Sequence, residues 1–278
     1  MSSEALPPVS PPPLLRVQNL AKAYMRRGRL MQPGVRVEAV KGVSFTLNAG
    51  TTLGLAGSSG CGKSTVARCV SRIERPDEGE IFFAGRDLAR LSFGELRPLR
   101  PALQMIFQDA ATAMNPRFSA AEIIAEPLLI QGMGSAGERA ARVREAMREV
   151  GLPPDWAQRA AREFSGGQRQ RLTLARALVL KPKLLILDEA LTGLDVSTRA
   201  QIANLLLDLQ AAHGIAYLFI SHDLPLLGHL ADRIAVMSAG RLVEEGAAVQ
   251  IMSNPQHAET EKLLAAIRTQ QVPAGASQ

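Results

Sequence analysis

A chain of 278 residues with 46% hydrophobic content has room for one large α/β domain or two small ones. Its net charge of +6 permits anionic partners, but the arginines are scattered and aromatic residues make up only 4%, so no base-stacking nucleic-acid surface is expected. No apolar run reaches bilayer length, since the stretch 178–187 is broken by Lys181, Pro182 and Lys183, and the N-terminus lacks the basic-then-apolar order of a secretory signal. A cytosolic protein that meets membranes only through a partner is the expectation.

Residues 1–13 read as a disordered Pro/Ser tail, followed by a first strand at 14–20 and a basic, Gly/Pro-containing loop over 26–36. Val43, Phe45 and Leu47 alternate with Ser44, Thr46 and Asn48, the period of a half-buried strand. Asn48, Ala49 and Gly50 then turn the chain into an apolar strand at 51–56, and Ile81, Phe82 and Phe83 form another short strand closed by Ala84 and Gly85. Over 119–160 the pattern changes: Val143, Ala146, Met147 and Val150 fall at i, i+3, i+4 and i+7, one face of an amphipathic helix, with Pro127 and Pro153–Pro154 as punctuation. Residues 184–187 and 216–220 are short apolar runs suited to parallel strands buried on both faces. Between them Ile202, Leu205, Leu206 and Leu209 line a helix that stops near Gly214. Alternating strands and helices predict a parallel sheet with helices on both faces.

Gly57, Ser58, Ser59, Gly60, Cys61, Gly62, Lys63 and Ser64, with Thr65 following, form G-x-x-x-x-G-K-[ST], the P-loop pattern, between the strand at 51–56 and a helix. Its glycines let successive N–H groups converge on one anion, Lys63 supplies charge for the β- and γ-phosphates, and the Ser64 hydroxyl suits Mg²⁺. Cys61 and Cys69 lie on one loop–helix unit roughly 12 Å apart at about 1.5 Å per residue, beyond disulfide reach, and Cys61 reads as a small loop-filler.

A P-loop alone says only nucleotide. The strand at 184–187 delivers Asp188 and Glu189 at its C-terminal end, where ligands sit in open α/β sheets. Asp188 is placed to hold Mg²⁺ and Glu189 to polarise an attacking water. Ser165, Gly166, Gly167 and Gln168 open an arginine-rich helix over 169–180, a second anion-binding turn by the same amide and dipole argument.

Together these residues resemble the nucleotide-binding subunit of ATP-binding cassette (ABC) transporters over about residues 14–265. FSGGQ at 164–168 is similar to the family's LSGGQ signature, Gln108 to its Q-loop glutamine, Asp195 to the end of its D-loop and His222 to its switch histidine. Tyr24 is similar to the aromatic that stacks on adenine. In the D-loop Thr192 and Gly193 stand where Ser-Ala is usual. The resemblance implies a RecA-like P-loop core, an antiparallel β subdomain and an inserted helical subdomain at about 110–175, with residues 266–278 as a tail. It implies ATP and Mg²⁺, with Ser64, Asp188 and Gln108 around the metal. Glu189 would be the general base, with Lys63, Gln108 and His222 arranging water and γ-phosphate. Two cassettes, identical or different, would sandwich two ATPs, each P-loop facing the partner's Ser165–Gly167 turn and Asp195. Integral-membrane permease subunits, an extracytoplasmic solute-binding protein and a place on the cytoplasmic face of the inner membrane follow from the same resemblance.

Within the family, Phe107-Gln108-Asp109 and Met114 to Arg117 resemble dipeptide, oligopeptide and nickel importers, as does the segment Asn254-Pro255-Gln256-His257 with Thr260, Leu263 and Leu264. Ala258–Glu259 stand where Pro-Tyr is usual, and Ala190 follows Glu189 as in nickel-type members. Uptake of peptides or a related solute is expected, with a nickel importer or an accessory ATPase of a soluble carbon–phosphorus lyase complex as alternatives. A DNA-maintenance ATPase would need a long coiled coil between its halves, and a translation-associated protein would need two P-loops. A small-molecule kinase leaves FSGGQ and His222 unexplained.

Overall fold

Residues that alternate, or that are apolar without interruption, set the strands of two sheets. The computed structural model describes residues 12–26 and 35–271. In chain order the elements are β1 (Leu15–Arg26), β2 (Val35–Leu47), β3 (Thr52–Gly57), α1 (Lys63–Val70), β4 (Glu78–Phe83), β5 (Arg86–Asp87) and α2 (Phe93–Leu96). Next come β6 (Leu103–Ile106), α3 (Ala110–Ala113), α4 (Ala120–Ile130), α5 (Ala136–Glu149) and α6 (Gly166–Leu178). The chain continues through β7 (Leu184–Asp188), α7 (Val196–His213), β8 (Ala216–Ile220), α8 (Leu224–Leu230), β9 (Arg233–Ser238), β10 (Arg241–Ala247), α9 (Ala248–Ser253) and α10 (Ala258–Gln271).

One sheet is antiparallel, in the order β2-β1-β4-β5. The other runs β10-β9-β3-β8-β7-β6, in which β6, β7, β8, β3 and β9 are parallel and β10 is an antiparallel edge. Every residue of β3, β7 and β8 is buried, as uninterrupted apolar strands in the middle of a covered sheet must be.

Alternate residues of these strands feed two cores. Leu185, Leu187, Tyr217 and Phe219 face the helices α4 to α8. Leu184, Ile186, Leu218 and Ile220 face α1 and the apolar side of the antiparallel sheet, including Val43, Phe45 and Phe83. Helices therefore lie on both faces as expected, with α1 sharing its face with the expected antiparallel sheet, because Val17, Val43, Phe45 and Ile81 present a flat apolar surface that only another sheet or helix can cover. Burying one such side chain stabilises by about 1.5–3 kcal/mol, so each core needs its cover.

The helix predicted around 137–150 is α5, started by a Ser135–Glu138 capping box and burying Val143, Ala146 and Met147. Pro127 lies inside α4 rather than ending it. The loop expected at 26–36 is shorter: Arg26 ends β1 and Val35 and Arg36 open β2, paired across the sheet, while 27–34 lie outside the described residues. The tails at 1–11 and 272–278 lie outside them too. The closing residues Ala84 and Gly85, at φ 48° and 81°, make the tight turn between β4 and β5.

Parallel register is what positions the site. Leu55 of β3 and Asp188 of β7 both pair with Ile220 of β8, and Ile106 of β6 pairs with Leu187. The loops that follow β3, β6, β7 and β8 therefore leave the sheet side by side at one edge.

Candidate active site

The loop after β3 is held by its glycines. A Cβ on Gly57, at φ 149°, would lie 2.3 Å from the Met237 carbonyl, and one on Gly62, at φ 113°, would lie 2.2 Å from the Ala39 carbonyl. No other residue fits at these two positions, and Gly62 opens α1 directly, the local arrangement in which helix-start amides can meet an anion. Cys61 is buried against Gly57, as a loop-filler should be, and it and Cys69 are free thiols. Burial, then the Glu74 carboxylate, pushes the Cys69 thiol up to about 12.

Lys63 is buried, and its ammonium donates to the carbonyls of Gly57 at 2.7 Å and Ser58 at 3.0 Å. Ser64 Oγ donates to Asp188 Oδ1 at 2.9 Å. Asp188 is 5% exposed, and burial raises its pKa, helped by the neighbouring Glu189 carboxylate and opposed by the Ser64 bond. These hard oxygen donors fit Mg²⁺, which keeps waters and substrate phosphates as its remaining ligands. Among the described residues no cluster of three or more His, Cys, Asp or Glu that could hold a metal ion is found.

Glu189 takes φ 51°, left-handed backbone that costs a non-glycine residue about 1–3 kcal/mol and clusters at functional sites. Its carboxylate accepts from Thr192 Oγ1 at 2.7 Å and faces His222 Nδ1 at 2.9 Å. A carboxylate there requires the proton on Nδ1, leaving Nε2 of a neutral ring as an acceptor.

These groups converge. A cavity of about 510 Å³ is lined by the P-loop residues Ser59 to Thr65 apart from Cys61, together with Ala39, Gln108, Glu189 and His222. That volume suits a small-molecule ligand. Ala39 was invisible to sequence reasoning; it is a half-buried residue within β2, where no motif marks it. Thr192 was legible only as a departure from Ser-Ala, although a hydroxyl three residues after an acid is a signal for a local bond.

The other expected site residues lie off the cavity wall. The Tyr24 hydroxyl donates to the Glu74 carboxylate, and burial together with that bond raises it to about 12. Ser165 caps α6 by accepting from Gln168 N, and its own N–H donates to Gln168 Oε1 at 2.9 Å. Asp195 caps α7 by accepting from Thr198 N at 2.9 Å and Thr198 Oγ1 at 2.7 Å. Gly167 lies against Thr198, whose methyl would be 2.6 Å from an added Cβ, while Gly166 faces open space. The signature turn and Asp195 thus form a second cluster, distinct from the P-loop wall.

A P-loop at the edge of a parallel sheet, beside an antiparallel sheet and a set of inserted helices, defines a nucleotide-binding cassette. The ABC transporter family profile matches residues 40–192. Glutathione import ATP-binding protein GsiA of Escherichia coli (strain K12) and that of Shigella flexneri are 48% identical to this chain over 256 residues, 92% of its length. The chain spans 41% of the length of these curated relatives. The dimeric post-hydrolysis structure of the ATP-binding cassette MJ0796 with ADP and Pi matches at TM-score 0.73 and 27% identity, over 84% of this chain and 98% of that one. The cbiO1 structure from Clostridium perfringens, part of the ABC transporter complex cbiONQ, matches in fold at TM-score 0.75 and 24% identity, over 94% and 96%. The chain belongs to the ABC transporter family.

Proposed function

We propose that this chain is the ATP-hydrolysing subunit of an importer for peptides or a related small solute. The observation that carries the reading is the meeting of Lys63, Ser64, Gln108, Glu189 and His222 on one cavity wall. The peptide class is supported by the 48% identity to proteins of glutathione import, glutathione being itself a small peptide. Among the described residues no helix is long and apolar enough to cross a membrane, which agrees with a separate permease pair carrying the solute path.

In this reading the loop from Gly57 to Thr65 and Lys63 hold the β- and γ-phosphates, and Tyr24 stacks on the adenine. Ser64, Asp188 and, after γ-phosphate arrives, Gln108 would hold Mg²⁺, which neutralises charge on the transferring phosphoryl group. Glu189 takes a proton from the attacking water, and His222 orients that carboxylate while its other face meets the γ-phosphate. Ser165, Gly166, Gly167, Gln168 and Asp195 complete the site of a second cassette, so ATP adds contacts across a dimer and hydrolysis removes them. That differential contact is what lets a ligand drive motion. The cassette would span residues 14–265, with the helices at 110–175 and the Gln108 loop docking on permease subunits at the cytoplasmic face. A solute-binding protein would deliver the cargo.

The test is a tagged Glu189→Gln variant, purified with ATP and Mg²⁺ from detergent-solubilised cells, its co-purifying chains identified by mass spectrometry. Turnover should fall by about 10²–10⁴ with ATP binding kept, and two permease chains should co-purify. Near-normal turnover would sink the catalytic assignment. A soluble enzyme assembly with no membrane chain would overturn transport, and an associated binding protein taking Ni²⁺ rather than peptides would replace the solute.

A further inference from the structure

Arg199 lies in the first turn of α7, four residues past Asp195, and its guanidinium reaches two segments at once. Nη1 donates to Asp223 Oδ2 at 2.7 Å, and Nη2 donates to the Leu194 carbonyl at 3.1 Å. Asp223 follows His222 directly and is fixed on every side. Its second carboxylate oxygen accepts from Leu226 N at 3.0 Å, capping α8, and its own N–H donates to Ser221 Oγ at 3.0 Å. Leu194 adjoins Asp195.

The same side chain reaches toward the chemistry. A space of about 30 Å³, enough to hold a water, is walled in part by Glu189, Thr192, Arg199, His222 and Asp223. Arg199 Nε is a buried donor without a hydrogen-bond partner. The ion pair is about two-thirds or more shielded, with side chains 31% and 24% exposed, so bulk solvent screens it less than a surface pair.

We propose that Arg199 is a positioning residue that ties the loop carrying His222 to the segment carrying Asp195, so that the two move as one unit. The inference rests on the roles proposed above for Glu189 and His222. Its physical basis is the planar fork of arginine, which satisfies two acceptors on different segments in one fixed geometry, as a lysine point charge does not. The fork is not needed to hold the helices together. Ile202 and Leu206 of α7 and Leu224 and Leu227 of α8 belong to one buried core. Loss of Arg199 therefore loosens the His222 loop and the D-loop while the fold stands.

The experiment measures ATP hydrolysis by the full chain, with its co-purifying chains, for Arg199→Met, Arg199→Lys, Asp223→Asn and the double variant Arg199→Met/Asp223→Asn. Arg199→Met and Asp223→Asn should each lower kcat by about 10-fold or more at unchanged KM for ATP, the mark of an interaction made in the transition state. The double variant should be no worse than either single, because both remove one contact. Arg199→Lys should recover part of kcat, and if the methionine variant fails to fold, the lysine variant carries the same test of kcat against KM. Full kcat in Arg199→Met, a fall in kcat matched by a rise in KM, or losses that multiply in the double variant would overturn the proposal. Glu189→Gln is the control. If it keeps turnover, the functional reading itself has failed; if it is inactive while Arg199→Met is active, only this inference has failed.

Discussion

Ser64 Oγ and Asp188 Oδ1 lie 2.9 Å apart although 124 residues separate them in sequence. The parallel pairing of β3 and β7 on either side of β8 brings the loop after one strand against the end of the other. The two oxygen groups therefore meet at the sheet edge without any loop having to reach for them.

That placement has a stability consequence. Asp188 has its pKa raised chiefly by burial, so the carboxylate is disfavoured in the folded, metal-free protein. A folded pKa above the unfolded value contributes stability below the unfolded pKa that is lost as pH rises through the folded one. At neutral pH the charge is thus a net cost. Asp188→Asn should raise the melting temperature of the metal-free protein at pH 7.5 by about 1–3 °C while lowering ATP turnover by at least about 10²-fold. Thermal melts in chelator, paired with a phosphate-release assay, check both signs.

Much of this arrangement was legible in the chain, for physical reasons that differ by element. Strands β3, β7 and β8 are apolar throughout because both faces are buried, and α5 shows its period because only one face is. Four-residue β6 gave no such signal, with Gln104 and Met105 only partly buried. The edge strand β10 is exposed or half-buried along its length, so no alternation marks it. The P-loop, Glu189 and Gln108 were readable as motif residues, but that Glu189 is gripped by Thr192 and His222 depends on a left-handed turn at Glu189 that composition does not announce.

Tyr24 gives a prediction that separates its ring from its hydroxyl. The hydroxyl is tied to Glu74, and the Lys22 ammonium sits 5.7 Å above the ring centre. If the ring stacks on adenine, Tyr24→Phe should leave the ATP Kd within about 2-fold, whereas Tyr24→Ala should weaken it by about 5- to 100-fold, since stacking is worth about 1–3 kcal/mol per base. Titration with a fluorescent ATP analogue decides. Equal losses in both variants would assign the effect to the Glu74 tie instead.

The two signature glycines should behave differently in folding. Gly166 opens α6 with nothing near a built Cβ, and alanine there should raise stability by about 0.5–1 kcal/mol through the cost of ordering glycine in a helix. Gly167→Ala must push the Thr198 methyl away from 2.6 Å and so disturb the Asp195 cap, lowering stability by about 1–3 kcal/mol. Urea unfolding of the two variants measures the contrast. Equal stabilities would show that Thr198 yields without cost.

The C-terminal segment supplies a test at acid pH. Glu244 on β10 accepts from Gln256 N at 2.7 Å, His257 N at 3.1 Å and Thr260 Oγ1, fastening the start of α10 to the sheet. Burial pushes its carboxyl upward, but the bonds from Thr260, Gln256 and His257 together outweigh burial and leave it below its usual value. A lowered folded pKa contributes stability above the unfolded pKa of about 4.3 that disappears as pH falls through the folded one. Glu244→Gln should therefore destabilise the chain by about 1 kcal/mol at pH 7, near the low end for charged hydrogen bonds because the group is partly solvated. The gap between variant and wild type should close below about pH 4. Thr260 is fully buried, so Thr260→Val should show the same loss at pH 7 and the same closure in acid. Urea melts at pH 7 and pH 3.5 distinguish this clasp from simple packing, which would leave a pH-independent gap.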